Sequence, residues 1–351
     1  MKSVDLSNRL IGPTHEPYVI AELSCNHNGS LDRAIAIVDA AAAAGADAVK
    51  LQTYTADSMT IDYDGPGFVI EGGLWRGHKL YDLYKAASTP WEWHAPLFQR
   101  GWEKGITVFS SPFDACAVDF LEELNSPAYK IASFEAVDLP LIKKAAETGK
   151  PLILSTGMAN DDEIADALSA AQVAGSGKAI LLHCVSAYPA PVADADLLTI
   201  PDMMKRFDVP VGLSDHTLGT AVAIAAVALG ACVIEKHLTL ARADGGFDAP
   251  FSLEPHELAT LVQGVRDAWQ AIGRAGYDRK QSEAGNASLR RSLYVVEDIP
   301  AGGLLTKQNV RSIRPGRGLA PKFSEAVLGR RAARDLLRGA PLDWEMLEDD
   351  G

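Results

Sequence analysis

The sequence predicts a (β/α)₈ barrel followed by a small β-rich domain, and three observations carry that prediction. Apolar strand-like runs and helix-like runs alternate about every 25–30 residues from Tyr18 onward, the rhythm of βα units. Eight such units fill about 260 residues, which matches the barrel in count and length. After Gly273 the pattern changes to a polar, glycine-containing stretch and then to short strand signals. A doubly wound open sheet is the fold-level alternative, weakened because no Gly-rich dinucleotide fingerprint follows the first strand.

Tyr18–Leu23 is the first strand. Its helix starts at Ser30, a good N-cap, and carries Leu31, Ala34, Ile35, Val38, Ala41 and Ala42 on one face before stopping at Gly45. Asp47–Gln52 is the second strand. The stretch 54–90, with Trp75, Tyr81 and Tyr84, then interrupts the rhythm. A segment this long in a compact domain is functional or holds small elements of its own. Trp91–Gly105 resumes as a helix, followed by a strand at Ile106–Ser110 and a helix at Phe113–Leu124. Ala128–Ala132 is the fourth strand, and its helix is capped by Asp138 and stopped by Gly149. Leu152–Ser155 is the fifth, with a helix opened by Asn160 and Glu163 in capping-box spacing. Ala179–Cys184 is the sixth, followed by a second long segment, Val185–Pro210.

The stretch Val209–Leu240 reads as strand, helix, strand: Val209–Leu213, an alanine-rich helix Leu218–Leu229 closed by Gly230, and Ala231–Glu235. Parallel strands of one such unit end on the same side. His216 and His237, one at the end of each, therefore come within reach of a shared ion or substrate, since adjacent strands lie about 4.8 Å apart. Strand-end histidines are also common as hydrogen-bonded loop residues, so spacing alone leaves metal binding open. Asp215, Glu235 and Lys236 beside them add polar crowding that needs a reason. Pro255–Gly273 is the last barrel helix. The domain organisation is thus a barrel over 1–273, a linker over 274–291, and a small β-rich domain over 292–351. That domain shows strand signals at Ser292–Val296 and Arg311–Ile313 and a short helix near Ser324–Leu328.

The net charge of −13 argues against nucleic acid or an anionic membrane as the main partner. Residues 274–351 hold 14 Lys+Arg against 11 Asp+Glu, so the chain's acidity lies in the barrel and the tail is basic. Cys25, Cys116, Cys184 and Cys232 have no paired short spacing, and free thiols in a reducing cytoplasm are expected. The N-terminal MKSVDLSNRLIG lacks a signal-type apolar core, and Ala221–Ile234, interrupted by Gly230, is too short to span a bilayer. A soluble protein is expected.

Barrel active sites lie at the carboxyl ends of the strands. The polar residues there are Glu22, Asn26 and His27; Lys50 and Gln52; Ser110 and Ser111; Lys130, Ser133 and Glu135; Ser155 and Thr156; Ser186 and Tyr188; then Ser214, Asp215, His216, Glu235 and His237. Any one serine is a common turn residue and any one lysine a common solvated one. Two lysines with hydroxyls on successive strands point to phosphate and carboxylate recognition.

IAELSCNHNGS, AVKLQTY, FSSPFD, YKIASFE, LSTGM, SAYPAP, GLSDHT and IEKHLTL, in that order, resemble the sialic acid synthase family. The tail, with RSLYV, IRPGRG and VLGRRAARDL, resembles that family's antifreeze-like (SAF) domain. LWRGHKLYDLY and TPWEWH resemble its pseudaminic acid synthase branch. The resemblance implies an enzyme that condenses phosphoenolpyruvate with 2,4-diacetamido-2,4,6-trideoxy-L-altrose. The alternative it leaves is an N-acetylneuraminate or legionaminic acid synthase using another N-acetylated hexose. It implies a divalent metal (Mn²⁺, Mg²⁺ or Co²⁺) on His216 and His237, and phosphoenolpyruvate on Lys50, Ser111, Lys130, Ser133, Ser155, Ser186 and Ser214. Gln52, Glu135, Tyr188, Asp248 and Arg314 would address the sugar, and Glu22 the proton transfers. Ser111 stands where many members have threonine, and Ser186 where the neuraminate enzymes tend to have asparagine. A homodimer is implied, with each SAF domain serving its partner's active site. Two other classes remain as rivals: a metal-dependent aldolase or keto-acid phosphate synthase, and a non-catalytic glycan-binding barrel.

Overall fold

Eight parallel strands close into a barrel in this computed structural model, which describes residues 3–175 and 177–348. The strands in chain order are β1 (Val4–Leu6), β2 (Arg9–Ile11), β3 (Tyr18–Glu22), β4 (Ala48–Thr53), β5 (Thr107–Pro112) and β6 (Tyr129–Ile131). They continue as β7 (Leu152–Ser155), β8 (Ala179–Cys184), β9 (Val211–Ser214), β10 (Val233–His237), β11 (Ser292–Val295) and β12 (Val310–Ile313). Strands β3 to β10 pair in sequence order, and β10 returns to β3 with Val233 opposite Tyr18 and His237 opposite Glu22. That ladder removes both sheet edges and excludes the open doubly wound sheet.

Caps start the helices where the sequence signals them. Ser30 accepts from the Arg33 amide, Asp138 from the Leu141 amide, and Asn160 and Glu163 cap each other reciprocally. The stretch 54–90 holds two short helices, Ala56–Met59 and Leu80–Ala87, and a bridge between Val69 and Lys79. The segment 185–210, read from the sequence without an element, contains the helix Thr199–Phe207. Its signal is only nine residues long and has a proline at its third position, which the first turn of a helix tolerates. Ile200, Met203 and Met204 supply the buried i, i+3, i+4 face.

A second element escaped the sequence reading. β1 and β2 form an antiparallel hairpin through a two-residue turn, Ser7–Asn8, at φ 53° and 65°. Both residues lie in the left-handed region that such a turn needs, without the Asn-Gly pair that usually announces it. Val4, Leu6 and Ile11 point from the hairpin into one apolar cluster with Tyr18, Ile20, Ala48, Phe109, Ala128, Ile153, Ile180, Leu182 and Val233. Those barrel residues are the inward-facing positions at the strands' amino ends, so the hairpin plugs the bottom of the barrel. The Arg9 guanidinium bonds the Asp47 carboxylate, which also accepts the Val19 amide at 2.7 Å.

The chain divides after Gly273 into two compact units. In the second, β11 and β12 pair antiparallel, with Ser292 opposite Ile313. Leu293, Val295, Ile299, Leu305, Val327, Leu336 and Leu342 form its core. The residues read as a linker include 3₁₀ turns at Gln281–Leu289, and the Ser288 carbonyl accepts the Gly316 amide at 2.9 Å.

Leu6 is fully buried in the plug. Leu6→Ala should cost about 2–5 kcal/mol of the barrel's stability, read by urea unfolding. A loss under about 1 kcal/mol would mean that the hairpin does not close the barrel floor.

Candidate active site

Alternate residues of a barrel strand face inward. At the bottom these are the apolar residues just described. One step higher, toward the carboxyl ends, the inward positions become Glu22, Lys50, Gln52, Ser111, Lys130, Ser155, Cys184, Ser214, Glu235 and His237. The change happens within two residues on each strand, as in Ile20 to Glu22 and Val233 to Glu235. Gly212 allows this crowding, because a Cβ there would meet the Val233 carbonyl oxygen at 2.3 Å.

Glu235 is the hub of the polar layer. Its Oε1 accepts Lys50 Nζ at 2.6 Å and Ser214 Oγ at 3.3 Å, and lies 3.5 Å from Lys130 Nζ. Lys50 also pairs with Glu22 at 3.1 Å, and Gln52 Nε2 donates to Glu22 Oε1 at 3.0 Å. Burial opposes the charge on Glu235, but Lys130 and Lys50 outweigh it and hold the carboxyl at about 2. Glu22 goes the other way: burial raises it to about 7 against the pull of Lys50. Burial also brings Lys130 down to about 8, whereas Glu22 and Glu235 hold Lys50 above its usual range despite its burial. At neutral pH the layer thus carries two ammonium groups against one full carboxylate and one partly protonated one. It is biased to receive an anion.

A cavity of 580 Å³ opens above this layer. Its floor is Lys50, Gln52, Lys130, Ser155, Ser214, Glu235, His216 and His237. Ser155 Oγ and Ser111 Oγ are buried and meet no hydrogen-bond partner among the described residues. Beside them, a Cβ at Gly157 would lie 2.8 Å from Ser133 Oγ and 2.2 Å from Ser186 Oγ, so the glycine leaves room for two more hydroxyls to converge. Lys130 with these hydroxyls makes a cradle of donors suited to phosphate oxygens.

The upper wall is different. Tyr54, Trp75, Tyr84, Phe113, Phe134 and Phe247 line it with Met59, Ile70, Leu80 and Leu83. Trp75 Nε1 donates to the Phe247 carbonyl at 3.0 Å, and its ring lies 5.3 Å from that of Tyr188. Glu135 brings a carboxyl to this wall, with Oε2 unpartnered among the described residues and its pKa pushed by burial to about 7.

His216 and His237 face each other with ring centroids 5.4 Å apart. His216 Nδ1 lies 3.1 Å from the Val185 carbonyl, which as acceptor leaves Nε2 as the free ligand atom. His237 is held neutral by burial and by the cationic neighbours, and its Nδ1 is buried without a hydrogen-bond partner. The Asp248 carboxylate lies 3.6 Å from that nitrogen. A neutral His237 with an unpartnered nitrogen, a His216 whose Nε2 is left free, and a carboxylate beside them fit a divalent ion. Among the described residues no group of three or more His, Cys, Asp or Glu has metal-holding geometry, so two histidines fit a loosely held one.

Most of the sequence-predicted residues converge here. Lys50, Gln52, Lys130, Ser133, Glu135, Ser155, Tyr188, Ser214, His216, His237 and Asp248 all line the cavity. Glu22 lies beneath it, fully buried under Lys50 and Gln52. Ser111, opposite Gln52 in the β4–β5 ladder, and Ser186, whose Oγ approaches Gly157 beside that of Ser133, are not among the residues lining the cavity. Arg314 belongs to the second unit. Sequence reasoning recorded Glu235 at its strand end but gave it no role; period-two alternation with His237 would have placed it inside the barrel. It also left out Ser24, whose Oγ donates to Asp248 at 2.5 Å, and gave no place in the site to Cys25 and Cys184, which it expected as free thiols and which line the cavity. Burial raises the Cys25 thiol well above its usual range, with Asp248 adding to the effect, so it is no ready nucleophile.

A closed barrel with a cationic floor and a histidine pair at its carboxyl face defines an enzyme scaffold for an anionic small molecule. Comparison with known proteins narrows the class. The chain matches the NeuB family over residues 37–277 and the SAF domain over residues 290–348. It is 43% identical over 325 residues to the pseudaminic acid synthase of Campylobacter jejuni, covering 93% of this chain and 95% of that one. The N,N'-diacetyllegionaminic acid synthase of Legionella pneumophila is 35% identical, with 94% of each covered. The crystal structure of N-acetylneuraminic acid synthetase from Leptospira borgpetersenii, in complex with citrate, superposes with a TM-score of 0.73 at 33% identity, over 81% of this chain and 95% of that one. The chain belongs to the NeuB family and is an enzyme of that synthase type.

The buried carboxyl at the aromatic wall gives a pH prediction. Glu135 is raised from 4.5 to about 7, so the folded state holds a proton that the unfolded chain releases. Its contribution to stability is present below about pH 4.5 and lost as the pH rises toward 7. Glu135→Gln should flatten the stability profile across that window, measured by urea unfolding at several pH values. An unchanged slope would remove Glu135 as a buried acid.

Proposed function

We propose that this enzyme condenses phosphoenolpyruvate with 2,4-diacetamido-2,4,6-trideoxy-L-altrose to yield pseudaminic acid and phosphate. The observation that carries the reading is a cavity with two chemistries: lysines and hydroxyls on the floor, aromatic and aliphatic side chains on the wall. The greater identity to a pseudaminic acid synthase than to a legionaminic acid synthase, 43% against 35%, supports the sugar assignment.

The phosphate and carboxylate of phosphoenolpyruvate would lie on Lys50, Lys130, Ser111, Ser133, Ser155, Ser186 and Ser214. Two fixed ammonium groups stabilise charge there without reorganising during the reaction. His216 and His237 would hold the divalent ion, whose contribution when bound is Lewis-acid polarisation of the sugar's aldehyde oxygen. Carbon 3 of phosphoenolpyruvate bonds to the aldehyde carbon, and the aldehyde oxygen takes up a proton. Water adds to carbon 2, and phosphate leaves as that centre collapses to the 2-keto acid. Glu22 is suited to the proton exchanges because its carboxyl titrates at about 7 and is joined to the cavity through Lys50 and Gln52. Glu135, Tyr188, Gln52 and Asp248 would receive the sugar's polar groups. The 6-methyl and acetamido methyls suit the Trp75, Tyr54 and Tyr84 wall. Free thiols in the cavity suit a cytoplasmic location.

Phosphate release with a panel of acetamido sugars tests the reading. The altro-configured 6-deoxy sugar should exceed N-acetylmannosamine in kcat/KM by at least about tenfold, the order expected for an apolar pocket meeting a methyl instead of a hydroxymethyl. Equal values would overturn the pseudaminate assignment, and carbon–carbon bond formation from pyruvate without phosphate release would indicate an aldolase. EDTA should abolish turnover and Mn²⁺ restore it.

The assembly proposed is a homodimer in which Arg314 completes the partner's site. The last barrel helix runs away from the mouth, so the residues after Gly273 start on the opposite face, and eighteen of them reach at most about 60 Å. Phe134, Val137, Met158, Val192 and Leu218, which follow successive strands at the mouth, are all more than half exposed, an apolar rim that a partner would cover. Mixing Glu22→Gln with Arg314→Ala after dissociation and reassociation should restore activity, because a mixed dimer then holds one intact site. No recovery in demonstrated mixed dimers would assign Arg314 to its own barrel.

A further inference from the structure

The outward faces of the barrel strands meet the helix shell and are apolar almost throughout, with Val19, Ala21, Val49, Leu51, Ile131, Leu154 and Ile234 in one hydrophobic cluster. Lys236 breaks that rule. It alternates with Glu235 and His237 on β10, and its side chain is fully buried. Its Nζ donates to Asp215 Oδ2 at 2.6 Å and to the Thr217 carbonyl at 2.6 Å. Asp215 Oδ1 accepts the Thr217 amide at 2.9 Å. Asp215 and Thr217 flank His216 on either side, and Lys236 immediately precedes His237. The backbone joins the same two segments, since the Asp215 amide donates to the Glu235 carbonyl at 2.9 Å.

We propose that the Asp215–Lys236 pair is a positioning device that fixes the separation and orientation of His216 and His237, and that it sets the affinity of the histidine pair for a divalent cation. A buried pair is a costly way to fill this space, and apolar residues of similar volume are often as stable or more so. What an apolar pair cannot do is define one geometry. The ammonium is held by two oxygens that bracket one histidine, so β9's end can neither slide nor twist relative to β10 without leaving the charge unpaired. With only two histidines to hold the ion, affinity depends on their spacing more than it would in a site with three or four ligands. The inference rests on the metal reading of the histidine pair.

The test is Mn²⁺ binding to the purified full-length protein, stripped of metal, followed by the loss of the free-ion electron paramagnetic resonance signal. Unfolding temperatures are measured alongside. Asp215→Asn with Lys236→Met removes both charges together, so neither is left buried alone. The double variant should be folded and bind Mn²⁺ about 10–100-fold more weakly than wild type, the range for losing a group that orients a ligand. His216→Ala serves as the reference for loss of a ligand. If the folded double variant binds Mn²⁺ within twofold of wild type, the pair is structural filling and the proposal is wrong. If wild type binds no Mn²⁺, or His216→Ala leaves binding intact, the metal reading falls and takes the proposal with it. Should the double variant fail to fold, Asp215→Glu, which keeps both charges and changes only the reach of the pair, carries the same comparison. Unfolding of that variant too would assign the pair to stability and overturn a positioning role.

Discussion

Glu235 holds two lysines at the centre of a protein interior, one bonded at 2.6 Å and the other 3.5 Å away. None of the three charges would be tolerated there alone, because removing a single ion from water costs several kcal/mol even after relaxation. Together they are tolerated. At about 4 Å and an effective dielectric constant near 20, each opposite pair gains about 4 kcal/mol. The network keeps a net positive bias, since burial holds Glu22 partly protonated at neutral pH. That surplus is available only where water is excluded and the lysines cannot turn away. The cationic character of the site is a property of this hub.

The barrel makes the hub possible by separating two tasks along each strand. Its lower interior is an ordinary apolar core, sealed below by Val4, Leu6 and Ile11 of the amino-terminal hairpin. Its upper interior gives up that packing for charge. A closed sheet can bear the change because every strand is held between two neighbours. The plug matters for the same reason: water entering from below would screen the ion network and weaken each of its interactions.

Above the hub the cavity is lined by aromatic and aliphatic residues from the stretch 54–90 and from the loops at Phe113, Phe134 and Phe247. Trp75 ties that stretch to the loop after β10 through the Phe247 carbonyl. The fixed chemistry thus sits on strands, and the variable surface on connecting segments. A family of enzymes can then share one cationic floor and differ in the substrate each accepts.

The barrel, its strand order and most of the site were legible in the chain, because period-two and period-3.6 patterns report burial directly and polar residues at apolar strand ends report the active face. Asn160 with Glu163 and Ser30 announced their helices because capping is chemistry local to four residues. The hairpin at Val4–Ile11 and the helix at Thr199–Phe207 were not legible, being too short for a period to emerge and stable only against the barrel that covers them. The site's residue types followed from sequence, but their ranking did not. Glu235, Lys236 and Asp215 look alike as polar residues near a strand end. Only the closed barrel turned Glu235 inward onto two lysines and Lys236 outward onto Asp215, because the direction of a side chain in a strand is a matter of register with neighbours that lie far away in the chain.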